Sequence, residues 1–308
     1  MSLLLVAQHR DMEPFKRAIQ QIDPNIDVDI WPDVDIPERV QFAVAWNHPK
    51  NVFTRFPNLK VISSLGAGVD HLTYDDTIPS NIRFSRVVIP SLAEQMSDYL
   101  LTSVLNIIRN TEHYLEQQKQ GIWTKKKPLD KADLTVGIMG LGELGCAAAL
   151  RLQNNGFRVS GWSVTKKNFE GIDTYTSAEL KAFLNHTNIL INLLPLTPET
   201  EGILDLDLFK NLKKPTYIIN AGRGEHLIDE DLIYALDTNL IEQAVLDVFR
   251  NEPLPDSHPF WGRKKITITP HVASITDPAE VAELLVDNYK RSLSGLELRF
   301  EVKSEKGY

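Results

Sequence analysis

The sequence predicts an α/β protein organised on a doubly wound parallel sheet, and three observations carry that prediction. Short apolar runs alternate with helical stretches along most of the 308 residues. One run, Thr135–Met139, passes straight into Gly140, Gly142 and Gly145 and then into an apolar helix. The polar and glycine-bearing residues of the later runs fall just past their C-terminal ends, where sheets of this class bind ligands.

Composition sets the limits first. Lys and Arg number 33 against 41 Asp and Glu, a formal charge of −8, and the one run of three lysines is Lys125-Lys126-Lys127. A nucleic-acid partner is therefore not expected, and the triplet reads as a solvated connection. The opening apolar run stops at Gln8, His9 and Arg10, too short for a signal peptide or a membrane span. One cysteine, Cys146, excludes an intrachain disulfide framework, and the expected compartment is the cytoplasm.

Taken in order, residues 3–7 read as a buried strand, 12–21 as a helix and Val40–Trp46 as a second strand. Val61–Ser64 leads into Leu65-Gly66-Ala67-Gly68-Val69-Asp70, half of a glycine fingerprint, with His71 where a third glycine would stand. A turn of this kind either serves only as a turn or offers the amides of Ala67, Gly68 and Val69 to a small carboxylate. Ser91 with Glu94 suggests a capping box. Leu92, Met96, Leu100, Val104 and Ile107 then keep helical spacing, and the helical segment ends at Gly121.

The stretch 136–145 is the centre of the second half. Gly140 suits a tight turn, Gly142 close approach of a pyrophosphate, and Gly145 close packing of helix on strand. The amides from Gly142 through Glu143, Leu144 and Gly145 would face the anion at the helix start. Strands are expected at Thr135–Met139, Arg158–Trp162, 189–193, 216–220, Gln243–Leu246 and Ile266–Ile268, a six-stranded sheet.

The end of the second of these strands bears on the cofactor. A carboxylate there would accept ribose hydroxyls and repel a 2′-phosphate. The chain has instead Trp162, Ser163, Val164, Thr165, Lys166 and Lys167, which favours NADP(H) and leaves NAD(H) possible. Arg223 lies among the small residues Ala221, Gly222 and Gly224 at a strand end, where its planar fork could hold a carboxylate. Asp247 and Glu252 follow the fifth strand and His271 the sixth. Singly, these residues also suit a surface arginine, a capping aspartate and a structural histidine; at three strand ends together they suggest a site. No metal-ligand spacing accompanies them, and no metal is expected.

Together these motifs resemble the D-isomer-specific 2-hydroxyacid dehydrogenase family, and the resemblance runs over essentially the whole chain. It includes Trp46, the helix start from Ser91 to Tyr99, the Asn192-Leu193-Leu194-Pro195-Leu196-Thr197-Pro198-Glu199-Thr200 stretch and the closing Gly307-Tyr308. The resemblance implies NADPH-dependent reduction of glyoxylate and hydroxypyruvate to glycolate and D-glycerate. It implies Arg223 on the substrate carboxylate and carbonyl, His271 as proton donor, and Glu252 orienting and charging that histidine. Trp46 and the amides of Ala67 to Val69 would bind substrate, while Leu194, Pro195, Thr200, Ala221, Gly222 and Asp247 would line the cofactor. It further implies a smaller, discontinuous, flavodoxin-like substrate domain, 1–98 with 274–308, around a cofactor domain at 99–273, and a homodimer. One departure is Val164, where NADP-using relatives commonly carry arginine; Lys166 must then do more of the phosphate binding. An NAD-dependent enzyme of phosphoglycerate or lactate type, and a nucleotide-sensing corepressor-like binding module, are the alternative readings.

Overall fold

The computed structural model describes every residue except His9, Tyr74 and 303–308, so the Gly307-Tyr308 ending lies outside the described residues. The chain divides into two units, Met1–Ile89 with Thr276–Tyr308, and Pro90–Ile275. The first crossing falls at Pro90 instead of residue 99, because the whole of the following helix packs in the second unit.

The first unit begins with β1 (Ser2–Ala7), α1 (Glu13–Ile22), β2 (Asp27–Ile30), β3 (Val40–Trp46), β4 (Val61–Ser64), the single turn α2 (Asp70–Thr73) and β5 (Arg83–Ser85). The chain then enters the second unit through α3 (Pro90–Ile108) and α4 (Thr111–Gln120). Helix α3 starts at Pro90, so proline takes the first helical position, where its missing N–H costs nothing, and Ser91 is the second helical residue instead of the cap. The helical segment is also not continuous to Gly121. It breaks at Asn110, which takes a left-handed conformation (φ 57°) that asparagine tolerates better than most residues.

The second unit continues with β6 (Thr135–Met139), α5 (Glu143–Asn154), β7 (Arg158–Trp162), β8 (Asp173–Tyr175), α6 (Leu180–His186) and β9 (Ile189–Asn192). There follow α7 (Leu206–Lys210), β10 (Tyr217–Asn220), α8 (Asp229–Asp237), β11 (Gln243–Leu246) and β12 (Ile266–Ile268). Its sheet has seven strands in the order β12-β11-β10-β9-β6-β7-β8, all parallel, not the six expected. The added strand is β8, three residues at the edge. Strand alternation divides the interior between two cores. Val136, Ile138, Ile189, Ile191 and Ile219 pack with α3 and α5, while Met139, Leu190, Ile218, Ala244 and Leu246 pack with α6, α7 and α8.

The chain returns to the first unit with α9 (Pro278–Leu293) and β13 (Glu301–Val302). Asp277 caps α9 by accepting the amides of Ala279 and Glu280, as its position before Pro278 predicts. The sheet order is β13-β5-β4-β3-β1-β2, parallel except for β13 on β5, which is the flavodoxin-like order with one added edge strand. Leu4, Val6, Ala43, Ala45 and Ile62 fill one face of this sheet, and on the opposite face Phe42 meets Tyr289 of α9 edge-on at 6.0 Å.

Candidate active site

In the second unit the strand order reverses between β6 and β9, and the loops after these two strands part there. Gly140 ends β6 at φ 100°, and a Cβ on it would lie 2.6 Å from the Leu193 carbonyl oxygen of the neighbouring loop. A Cβ on Gly145 would lie 1.9 Å from the oxygen of Gly140, so only glycine lets α5 start against the turn. Gly142 differs: nothing stands within 4 Å of its Cβ position. The first intrahelical bond runs from the Cys146 amide to the Gly142 carbonyl, so the amides of Gly142, Glu143, Leu144 and Gly145 have no partner within the helix. Open space above unpaired amides at a positive helix end fits an anionic pyrophosphate.

At the end of β7 the Trp162 carbonyl takes the Gly140 amide at 2.9 Å, and its indole is buried in the core with Nε1 lacking a hydrogen-bond partner among the described residues. Trp162 thus supports the glycine turn from beneath. Ser163 donates to the Thr165 carbonyl at 2.7 Å, closing a tight loop that leaves Val164, Thr165, Lys166 and Lys167 exposed. No carboxylate lies in this loop; the charge of Lys166 reaches Glu179, whose pKa is lowered first by its bonds to Thr176 and in lesser part by that charge.

The loop after β9 is tied by one hydroxyl. Thr200 donates to the Pro195 carbonyl at 2.7 Å and accepts the Thr197 amide at 2.8 Å, fixing the backbone from Leu194 onward. Beneath it lies a fully buried polar group, Asn192, Asn220 and His226. Asn192 donates to Asn220 Oδ1 at 2.9 Å and to His226 Nδ1 at 2.8 Å. Asn220 Oδ1 also accepts the Gly222 amide, and its Nδ2 donates to the Arg223 carbonyl at 2.9 Å. His226 Nδ1 accepts the Arg223 amide at 3.2 Å, and Nε2 lies 3.3 Å from the Pro195 carbonyl. A Cβ on Gly222 would lie 2.9 Å from Asn192 Nδ2, which leaves no room for a side chain there. Residues Ala221 to Arg223 therefore form a loop set by buried side chains, with the Arg223 side chain bent back to the Gly222 carbonyl at 2.8 Å.

Glu252 and His271 form a close pair. Glu252 Oε2 lies 2.7 Å from His271 Nδ1, and Oε1 accepts the Phe249 amide at 2.9 Å. Burial works to raise the Glu252 pKa, but its bond to His271, the charge of that ring, the Phe249 amide and the charge of Arg223 outweigh it and hold the carboxyl below its ordinary value. Arg223, Glu252 and His271 thus share one electrostatic neighbourhood at the ends of β10, β11 and β12.

Asp247 stands under this pair. It is buried, and its carboxylate accepts the Thr269 hydroxyl at 2.6 Å and the amides of Val272 and Ala273 at 2.9 Å each. These bonds hold the loop in which His271 adopts φ 53°, an unusual conformation for a non-glycine residue. Because Thr269 donates to Asp247, the Tyr99 hydroxyl 2.7 Å away donates to Thr269, and burial pushes the Tyr99 pKa up to about 12. The sequence signalled Asp247 only as a neighbour of the cofactor; the structure makes its carboxylate the anchor of the histidine loop. Thr269, Asn220 and His226 were not recognised as parts of the site, although all lie within a few residues of the motifs.

The first unit has a glycine turn of its own after β4. Ser64 ties it, donating to the Gly68 carbonyl at 2.6 Å and accepting the Gly66 amide at 3.2 Å. Trp46 packs over Gly66, where a Cβ would lie 2.7 Å from its ring, and meets His71 edge-on at 5.2 Å. The amides of Ala67, Gly68 and Val69 make no hydrogen bond among the described residues.

Comparison with known proteins agrees with this arrangement. Residues 101–273 match the model of the D-isomer specific 2-hydroxyacid dehydrogenase NAD binding domain. A glyoxylate/hydroxypyruvate reductase A from Serratia proteamaculans is 37% identical over 295 residues, covering 94% of each chain. A D-isomer specific 2-hydroxyacid dehydrogenase from Xanthobacter autotrophicus, solved with NADPH and MES, superposes with a TM-score of 0.92 at 36% identity, covering 100% of this chain and 99% of that one. The NADPH-dependent glyoxylate/hydroxypyruvate reductase of Sinorhizobium meliloti, solved with NADP and sulfate, gives 0.92 at 36% identity with 100% of both chains covered. On the glycine turn, the residues at the strand ends and these matches, the chain belongs to the D-isomer-specific 2-hydroxyacid dehydrogenase family.

Proposed function

We propose that this chain reduces short 2-oxo acids, glyoxylate and hydroxypyruvate among them, to glycolate and D-glycerate, using NADPH in preference to NADH. The Glu252–His271 pair at 2.7 Å, with Arg223 in electrostatic reach, is the observation that carries this reading. The relatives named for these substrates, and the neighbours solved with NADPH or NADP, support the choice of acid and cofactor.

The residues present fit a dinucleotide. The amides of Gly142 to Gly145 would take the pyrophosphate, the loop from Leu194 to Pro195 and the backbone of Ala221 and Gly222 would line the nicotinamide half, and Ser163, Thr165 and Lys166 would meet the 2′-phosphate. The bound cofactor supplies a hydride to C2 of the substrate. Arg223 holds the substrate carboxylate with its planar fork and polarises the adjacent carbonyl. His271, with Nδ1 held by Glu252, presents Nε2 to the substrate oxygen and gives up a proton as charge develops there. Asp247 acts through the histidine loop it anchors. In the first unit, the amides of Ala67 to Val69, which follow the Gly66 that Trp46 covers, suit a carboxylate on their own geometry.

We assign the protein to the cytoplasm and to a homodimer. No helix among the described residues is long and apolar enough to cross a membrane. Trp123 is 96% exposed and its chain neighbour Ile122 is exposed too, an apolar surface that a second copy would cover. Light scattering on the purified chain tests the dimer. The function is tested by steady-state rates with glyoxylate, hydroxypyruvate, phosphohydroxypyruvate and pyruvate, each with NADPH and NADH. Highest kcat/KM for glyoxylate or hydroxypyruvate with NADPH is the expected outcome. Preference for NADH with another acid favours the phosphoglycerate or lactate type, and no turnover at all favours a binding module.

A further inference from the structure

We propose that His226, held as the Nε2–H tautomer, is a positioning residue that locks Arg223 for the carboxylate and joins its loop to the Leu194–Pro195 loop. This deepens the function proposed above and rests on it for the role of Arg223. The tautomer follows from obligate partners. The Arg223 amide can only donate, so Nδ1 at 3.2 Å must accept; the Pro195 carbonyl can only accept, so Nε2 at 3.3 Å must carry the proton. Asn192 agrees with this, since one proton of its amide goes to Asn220 Oδ1 and the other is free for His226 Nδ1. The ring is wholly buried, so neither bond is replaced by bulk water when it is lost.

The consequence for Arg223 is specific. Its amide is bound by His226 and its carbonyl by Asn220, so both backbone groups of the residue are fixed by buried side chains. That fixes the direction in which a long side chain leaves the loop, where a small rotation at the backbone becomes a large displacement of the guanidinium. Nε2 meanwhile meets the Pro195 carbonyl, which also accepts the Thr200 hydroxyl. One ring therefore connects the loop proposed to hold substrate with the loop proposed to line the cofactor.

The two nitrogens can be separated by substitution. His226→Asn keeps an amide oxygen near the Nδ1 position and loses the donor to Pro195; His226→Gln keeps a donor near Nε2 and loses the acceptor for Arg223. The expected result is a split. His226→Gln raises KM for the 2-oxo acid by about tenfold or more with the affinity for NADPH little changed, and His226→Asn weakens NADPH binding, read by fluorescence titration, while largely keeping KM for the acid. Equal losses in both variants, or no loss in either, would overturn the proposal, because a merely structural histidine moves stability without dividing the two ligands. If either variant fails to fold, the unmodified protein decides: nitrogen-15 spectra must show His226 as Nε2–H, and an Nδ1–H ring would sink the idea. Should the parent turn over no 2-oxo acid, the proposed function fails, while the tautomer measurement still decides the state of His226.

Discussion

Glu252 uses both of its oxygens at the site: Oε2 meets His271 Nδ1 at 2.7 Å, and Oε1 takes the Phe249 amide at 2.9 Å. The carboxylate is thus tied to the backbone of its own loop as well as to the ring. Its pKa reports on that arrangement, since burial pushes it up while His271, the Phe249 amide and Arg223 together bring it below the ordinary 4.5.

The first prediction follows from that balance. In His271→Ala the bond and the charge of the ring are gone while burial remains, so the Glu252 pKa rises from its lowered value. The sign for stability is that of a depressed carboxyl: in the parent its contribution is present above the ordinary carboxylate value and is lost as pH falls through the folded value. His271→Ala therefore loses this contribution. Carbon-13 titration of the glutamate carboxyls measures the change directly, and an unmoved Glu252 resonance would show that the pair does not form in solution.

The second prediction concerns turnover. His271→Ala and Arg223→Ala each leave the fold intact, as the circular dichroism spectrum will show; His271→Ala lowers kcat/KM by about 100- to 10,000-fold, the range for loss of a general acid, and Arg223→Ala by about 100-fold or more through loss of its charge-assisted bonds to the carboxylate. Near-parental rates in either variant would remove that residue from the mechanism.

Much of this could be read from the residues, and the failures have a common cause. The strand ends, the glycine turn and the residues proposed as acid and base lie in sequence-local patterns. The strands at or next to a sheet edge, β2, β5, β8 and β13, are short and partly exposed, so they lack the apolar runs that mark the central strands. The break at Asn110 depends on one backbone conformation inside a polar stretch that otherwise favours helix. His226, Asn192 and Asn220 find one another only when β9 and β10 pair, which spacing along the chain does not reveal. Asp247 was visible, but its use for the Thr269, Val272 and Ala273 donors depends on β11 lying beside β12.

The third prediction uses two glycines of one turn. Gly145→Ala puts a methyl 1.9 Å from the Gly140 carbonyl oxygen, so backbone must move and stability falls by about 1–3 kcal/mol or more. Gly142→Ala meets nothing within 4 Å and keeps extended backbone angles, φ −77° and ψ −165°, so the loss is only that of alanine for glycine at a helix N-cap, about 0.5–1 kcal/mol. Its methyl nevertheless enters the space above the α5 amides, and NADPH binding weakens by about tenfold or more. Thermal unfolding and fluorescence titration of both variants check this, and the expected pattern fails if Gly142→Ala binds as the parent does.

The fourth prediction separates Asp247 from a direct role. Asp247→Ala leaves the Thr269 hydroxyl and two amides without their buried acceptor and releases His271 from φ 53°. Stability should fall by about 3 kcal/mol or more, and kcat with it. Asp247→Asn retains one acceptor oxygen and should recover part of both. If stability is unchanged in the alanine variant, the carboxylate does not anchor the loop.

The last prediction is that Lys166 selects NADPH. The loop from Ser163 to Lys167 carries no carboxylate, and Thr165, Lys166 and Lys167 are all exposed, so an incoming 2′-phosphate meets cations without displacing a buried pair. A charge-assisted bond to that phosphate contributes about 1.5–3 kcal/mol when partly desolvated, or about ten- to hundredfold in affinity. Lys166→Ala should raise KM for NADPH by the lower part of that range, because the exposed site is screened by solvent, and leave KM for NADH nearly unchanged. Lys167 lies beside it and can share the load, so the single and double variants are compared. The difference between the cofactors should also shrink as salt is raised, since an exposed phosphate contact weakens with ionic strength whereas a contact to the ribose hydroxyls does not. A double variant that keeps the parental preference would assign phosphate recognition to Ser163 and Thr165 instead of the lysines.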